Sequence, residues 1–231
     1  MCGRLNVIDD SDVIELCEGL QISLFANQPI FSRFIRATQP VSIVREKQGV
    51  RRMDTASWWL LLDKSDTGFK PSKYTSFNTR YDKLNVKNSA GYQPFRHSRC
   101  VIPVKGFGET EYVNGKPIHY HDMVAKQGGL FMGGLCREWF NSETGESALS
   151  CSVITLPPHP KLKDIHSKSM PLILPPQPEL LNSWLDESIT NPVMFDELLE
   201  PRLPVNLIAW QIDKPSTHKL IAPKFEISAD I

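Results

Sequence analysis

RCVIPVKGFGETEYVNGKPIHYHDMVAKQGGLFMGGL, residues 99–135, decides how this chain folds. RCVIPVK (99–105), PIHYHDMV (117–124) and LFMGGL (130–135) are short runs rich in β-branched, aromatic and other apolar residues, which read as strands. Asn114-Gly115 lies between EYV and KPIHY, and an Asn-Gly pair there supplies the two left-handed residues of a tight hairpin. GFGETE (106–111) reads as a glycine-aromatic-glycine turn presenting Glu109. Three strands within 37 residues, with no long helix between them, point to antiparallel pairing rather than a doubly wound parallel sheet.

The flanking sequence agrees. VSIVRE (41–46), LSCSVITL (149–156) and PVNLIAWQI (204–212) read as further strands. Three short helices are expected: 9–20 with an Asp/Ser cap, 178–187, and 191–199 with Asn191 as cap and Pro192 at the first helical position. The fold class is therefore α+β: one domain over 1–231, with a mainly antiparallel, barrel-like sheet flanked by short helices and a tail at 213–231. The 18 prolines are spread through the loops, and no repeat is visible.

With 231 residues, 41% of them hydrophobic, the chain can bury a sizeable core. No apolar run approaches 18 residues, and no basic region followed by a long apolar stretch opens the chain, so neither a membrane helix nor a signal peptide is expected. The expected location is the cytoplasm. Cys17, Cys100, Cys136 and Cys151 sit among apolar neighbours and suit buried packing. No CxxC pair or zinc spacing occurs, so no metal and no cofactor are expected. The 26 basic and 26 acidic residues cancel, but unevenly along the chain. Residues 69–105 hold eight Lys/Arg against one acid, with six aromatics among them, while 179–200 hold six acids and no Lys/Arg. A basic, aromatic stretch suits a single-stranded nucleic acid.

The remaining cysteine, Cys2, follows the initiator methionine in MCGR. Aminopeptidases remove Met1 when residue 2 is small, which would leave Cys2 at the terminus. Its amine, with a reference pKa of about 7.7–8.0, and its thiol, at about 8.5, are then both partly nucleophilic near neutral pH. Such a 1,2-aminothiol condenses with an aldehyde to an imine, which the thiol closes to a five-membered thiazolidine. An amine activating its own side-chain nucleophile is a second use. Four other places offer partners. Asn78 and Arg80 in FNTRYD supply an amide and a phosphate-binding fork. Glu109 could shuttle protons if burial raised its pKa. His166 in DIHSKSMPLIL ends a helix-like turn and runs into a strand, and histidine moves protons near pH 7; His159 is the alternative, in a loop-like PPHP. PFRHSR (94–99) combines Phe95, Arg96 and Arg99 for base stacking and phosphate contact.

MCGR, FNTR (77–80), RCVIPVKGFGE (99–109) and DIHSKSMPLIL (164–174), in this order, resemble the SOS response-associated peptidase (SRAP) family. The resemblance spans residue 2 to about 212 and implies a barrel-like α+β domain that senses abasic sites in single-stranded DNA. It implies that Cys2 forms a thiazolidine with the aldehyde of the ring-opened sugar, shielding the site from strand cleavage. Asn78 would hold the sugar, Glu109 assist proton transfer, His166 open the ring, and Arg4 and Arg80 grip flanking phosphates. It also implies a proposed peptidase activity, including self-removal of residues ahead of the cysteine. The expected partner is abasic single-stranded DNA, met as a monomer, with nucleoid association when bound. The chain departs from the family pattern at Lys105, Gly108 and Thr110, and in the four residues SKSM between His166 and Pro171. An N-terminal-nucleophile amidohydrolase and a non-covalent single-strand binder are the other functions this residue set could serve.

Overall fold

The computed structural model describes residues 3–25 and 28–230. Cys2 and the processing of Met1 therefore lie outside the described residues. Five strands close into a barrel: Ser147–Leu156, Val50–Ser57, Pro40–Lys47, Arg99–Val104 and Leu130–Phe140, which pairs back onto Ser147–Leu156. Four of the five seams are antiparallel; the fifth, between Ser147–Leu156 and Val50–Ser57, is parallel, made by Ser150 opposite Ser57. Asn78–Arg80 adds in parallel beside Val153–Thr155.

A second, antiparallel sheet runs in the order Phe225–Ile227, Leu207–Ile212, Lys116–Ala125, Gly106–Val113, Arg4–Val7, Ser32–Arg36. Lys105 joins the sheets. It separates the last barrel strand position, Val104, from Gly106, its N–H bonds Asn6 O, and its ammonium pairs with Asp10 and Asp12. Those acids belong to the cap and first turn of the Ser11–Gly19 helix, where Asp10 accepts from Val13 N. Lys105 thus anchors the N-terminal helix onto the strand crossover.

The barrel interior and the sheet between them enclose one hydrophobic cluster. Trp184 sits in it between Phe95 and Phe195, with ring centroids 6.1 and 5.2 Å away, and its indole donates to Cys100 O. Each such side chain contributes about 1.5–3 kcal/mol by leaving water.

The α+β class and the barrel-like, mainly antiparallel sheet agree with the sequence reading, and the Asn114-Gly115 hairpin takes its expected left-handed values, φ 51° and 77°. Three readings are corrected. Residues 106–111 are not a turn but part of the strand Gly106–Val113, because Gly106 lets Met123 O approach: a Cβ there would lie 2.1 Å from that oxygen. Residues 192–199 form a 3₁₀ helix rather than an α-helix, and its buried residues, Pro192 and Phe195, repeat at three. The stretch from 213 onward carries an edge strand, Phe225–Ile227, and Asp230 behind it accepts from Leu203 N and Lys161.

Candidate functional site

The site forms where the Arg4–Val7 strand begins beside Gly106–Val113. Arg4 stands opposite Gly108 and Arg36. Its side chain lies back across the strand, and a Cβ on residue 108 would come within 2.5 Å of the guanidinium. Gly108 is therefore the space Arg4 occupies. Thr110 accepts from Arg4 Nη1 at 2.9 Å. Arg4 Nη2 donates to Glu109 O and His121 O, both at 3.1 Å, and lies 3.5 Å from the buried carboxylate of Asp122. Arg33 reaches the other oxygen of Asp122 at 3.2 Å. Burial pushes the Asp122 carboxyl up, against the pull of Arg4 and Arg33.

Alternation along the strand sends Glu109 and Glu111 to the face opposite Gly108 and Thr110. Register places His121 opposite Glu109 and His119 opposite Glu111. Glu109 is 2% exposed, and burial pushes its pKa up to about 7, although Arg4 draws it down. Glu111 is buried too, but Ser167 overrides that: its N–H and hydroxyl both donate to the carboxylate and hold it below the usual range. His166 Nδ1 lies 3.0 Å from Glu111 Oε2. Burial lowers the His166 pKa to about 4 and that of His121 to about 4. At neutral pH this pocket holds a neutral imidazole beside a carboxyl poised between its two forms.

A cavity of about 780 Å³ opens here, lined by Gly3, Arg4, Gly108, Thr110, His166 and Lys168 among others. Phe77 also lines it, stacked at 5.8 Å on Trp59 and immediately before Asn78. Asn78 opens the short strand beside Val153 and is half-buried. A second cavity of about 610 Å³ shares Arg4 and Arg36 with the first and adds Arg33, Phe34 and His218. Among the described residues no cluster of three or more His, Cys, Asp or Glu has metal-binding geometry.

The sequence-derived set divides. Arg4 and His166 line one cavity, and Glu109 and Asn78 are sequence neighbours of residues that line it. Arg80 is exposed and forks onto Asp82 at 2.9 and 3.0 Å. The PFRHSR reading is corrected. Phe95 is fully buried and offers no face to a base. Arg99 is 4% exposed and donates to Trp184 O, Phe95 O and Asp186 O, so it ties the end of the Pro178–Leu185 helix to the barrel. Arg96 stacks on Tyr92 at 3.8 Å and bonds Leu84 O and Tyr92 O. These groups are committed to the protein's own aromatic rings and carbonyls. Glu111, Arg33 and Arg36 were not singled out from sequence. The signal for Glu111 was its spacing of two from Glu109, which only a strand reading converts into a shared face.

The profile of the SOS response associated peptidase (SRAP) family matches residues 1–215. Abasic site processing protein YoaM of Bacillus subtilis strain 168 is 30% identical over 219 residues, covering 92% of this chain and 91% of its own. Abasic site processing protein YoqW of the same strain is 27% identical over 217 residues, 92% of each chain. A crystal structure of a Bacteroides thetaiotaomicron protein superposes with a TM-score of 0.71 at 19% identity, over 94% of this chain and 95% of the other. One from Bordetella bronchiseptica gives 0.66 at 18% identity, over 92% and 100%. The two structures share the fold.

Proposed function

The chain belongs to the SOS response associated peptidase (SRAP) family, and from that premise we propose that it captures abasic sites in single-stranded DNA as a covalent thiazolidine on Cys2, within the DNA-damage response. The observation that carries this reading is the cavity in which Gly3, Arg4 and His166 meet.

Removal of Met1 frees the amine of Cys2. The abasic deoxyribose, in its ring-closed form, carries a hemiacetal hydroxyl. Neutral His166 takes that proton as the C–O bond of the ring breaks and returns it to the departing ring oxygen, leaving the open hydroxy aldehyde. The amine adds to the carbonyl carbon, and protonated Glu109 supplies the proton with which the hydroxyl leaves as water. A pKa of about 7 keeps Glu109 available both to give that proton and to take one back. The thiol then adds to the imine carbon, forming the C–S bond and closing the ring, while its proton passes to the nitrogen. No oxidant or cofactor enters. An imine left open invites β-elimination and strand cleavage; the thiazolidine removes it. In this reading Asn78 holds the sugar, Arg4 gives the cavity a positive wall, and Arg36, Arg80 and Lys168 grip flanking phosphates. The same terminal cysteine, with His166 as base, is suited to releasing residues ahead of it, which is the peptidase reaction of the family name. The acting form is a monomeric single domain over 2–231 in the cytoplasm, on the nucleoid when bound.

Incubation with an abasic single-stranded oligonucleotide should yield a heat-stable adduct that Cys2→Ala abolishes. An adduct that persists in Cys2→Ala would overturn the proposal. Hydrolysis of small amides without any adduct would favour the amidohydrolase reading instead.

A further inference from the structure

We propose that Glu111 is a positioning residue that fixes His166 as the Nδ1–H tautomer and so leaves Nε2 as its basic nitrogen. The inference rests on the proposed abasic-site reaction only for its kinetic consequences; the tautomer is argued from the closeness of an ionised carboxylate to Nδ1.

Glu111 Oε2 stands 3.0 Å from His166 Nδ1, with side chains 10% and 4% exposed. Both oxygens of Glu111 already accept from Ser167, Oε2 from its N–H at 3.0 Å and Oε1 from its hydroxyl. A carboxylate served by two donors is ionised, and an ionised carboxylate can only accept. An ionised oxygen 3.0 Å from Nδ1 in a buried site repels a lone pair there and attracts a hydrogen even without the alignment of a full hydrogen bond, so Nδ1 carries the hydrogen. The low pKa of His166, imposed by burial and by Lys168 against the pull of Glu111, leaves the ring neutral at pH 7, with its lone pair on Nε2. Ser167, adjacent to His166 in the chain, thus locks the carboxylate that locks the ring. The order base, orienting carboxylate, second-layer donor is the logic by which histidine bases are held elsewhere. His119, opposite Glu111 in register, adds positive influence on the same carboxylate.

The test is long-range ¹H–¹⁵N correlation NMR of the full-length protein with labelled imidazoles, assigned with His166→Asn, in parallel with single-turnover adduct kinetics. The wild type should show Nδ1 carrying a hydrogen and Nε2 carrying none at pH 7. Glu111→Ala should shift His166 toward the Nε2–H form and slow adduct formation on the order of a hundredfold, with DNA affinity changed less than twofold. Glu111→Gln keeps one oxygen for Nδ1 and Ser167 N–H, and its amide can donate to the Ser167 hydroxyl, so it should retain the Nδ1–H tautomer and most of the rate. It also guards against a folding defect in the alanine variant. An Nε2–H tautomer in the wild type, or an unchanged tautomer and rate in Glu111→Ala, would overturn the proposal. Absence of any adduct in the wild type would sink the functional reading, while the tautomer measurement would still decide the role of Glu111.

Discussion

Glu109 shows how one residue's surroundings set its chemistry. Its folded pKa of about 7 stands above the usual carboxylate value of 4.5, so between those two values the native state binds a proton that the unfolded chain has lost. The stability contributed by neutral Glu109 is complete below about 4.5 and is lost as pH rises to about 7. Glu109→Gln has no such loss. Urea denaturation at pH 5 and pH 8 should therefore show the variant gaining about 1–3 kcal/mol relative to wild type between the two conditions; parallel pH profiles would contradict the assignment. Gly108 carries a second residue-scale prediction. Gly108→Val places side-chain atoms where the Arg4 guanidinium lies. It should destabilise the fold by about 1–3 kcal/mol and lower adduct yield, measured by thermal melting and gel shift. A fully active, equally stable valine variant would show that Arg4 has no need of that space.

At the scale of elements, the strands were legible where β-branched and aromatic residues cluster, as in 99–104 and 149–156, and the Asn114-Gly115 turn was legible from its two residues alone. Val50–Ser57 was not, because Arg51, Arg52, Asp54 and Thr55 interrupt the apolar pattern on a strand of which Met53 and Ala56 are buried. Gly106–Val113 was misread because glycine usually marks a turn; here Gly106 and Gly108 make room for Met123 O and Arg4. That misreading hid Glu111 and placed Glu109 on a loop. The basic stretch at 94–99 misled for a different reason: sequence shows that arginines lie beside aromatics, but not whether they face water or their own helix ends. Arg99 belongs to the Pro178–Leu185 helix connection. Arg99→Lys loses the fork that spans these carbonyls and should cost about 2 kcal/mol, measured by denaturation. It should leave the salt dependence of DNA binding unaltered; a shallower slope would return Arg99 to the DNA-contacting set.

Across the whole molecule, a neutral total charge conceals a local positive rim made of residues distant in sequence: Arg4, Arg33 and Arg36 from the N-terminal strands, and Lys168 from the loop after His166. The polarity of residues 69–105 pointed to DNA, but Arg96 and Arg99 within it are spent on backbone carbonyls. The three phosphate contacts proposed for Arg36, Arg80 and Lys168 give an expected slope of log K against log salt near −2, at about −0.7 per contact on a single strand. A slope near zero would remove DNA as the ligand. The central claim concerns the amine and thiol of Cys2, and intact-mass spectrometry tests it most directly. The protein, before and after incubation with an abasic single-stranded oligonucleotide, should lack Met1 and then gain the oligonucleotide's mass less one water, with the added mass mapping to the peptide that begins at Cys2. Retention of Met1 together with an adduct elsewhere, or no adduct at all on protein beginning at Cys2, would contradict it.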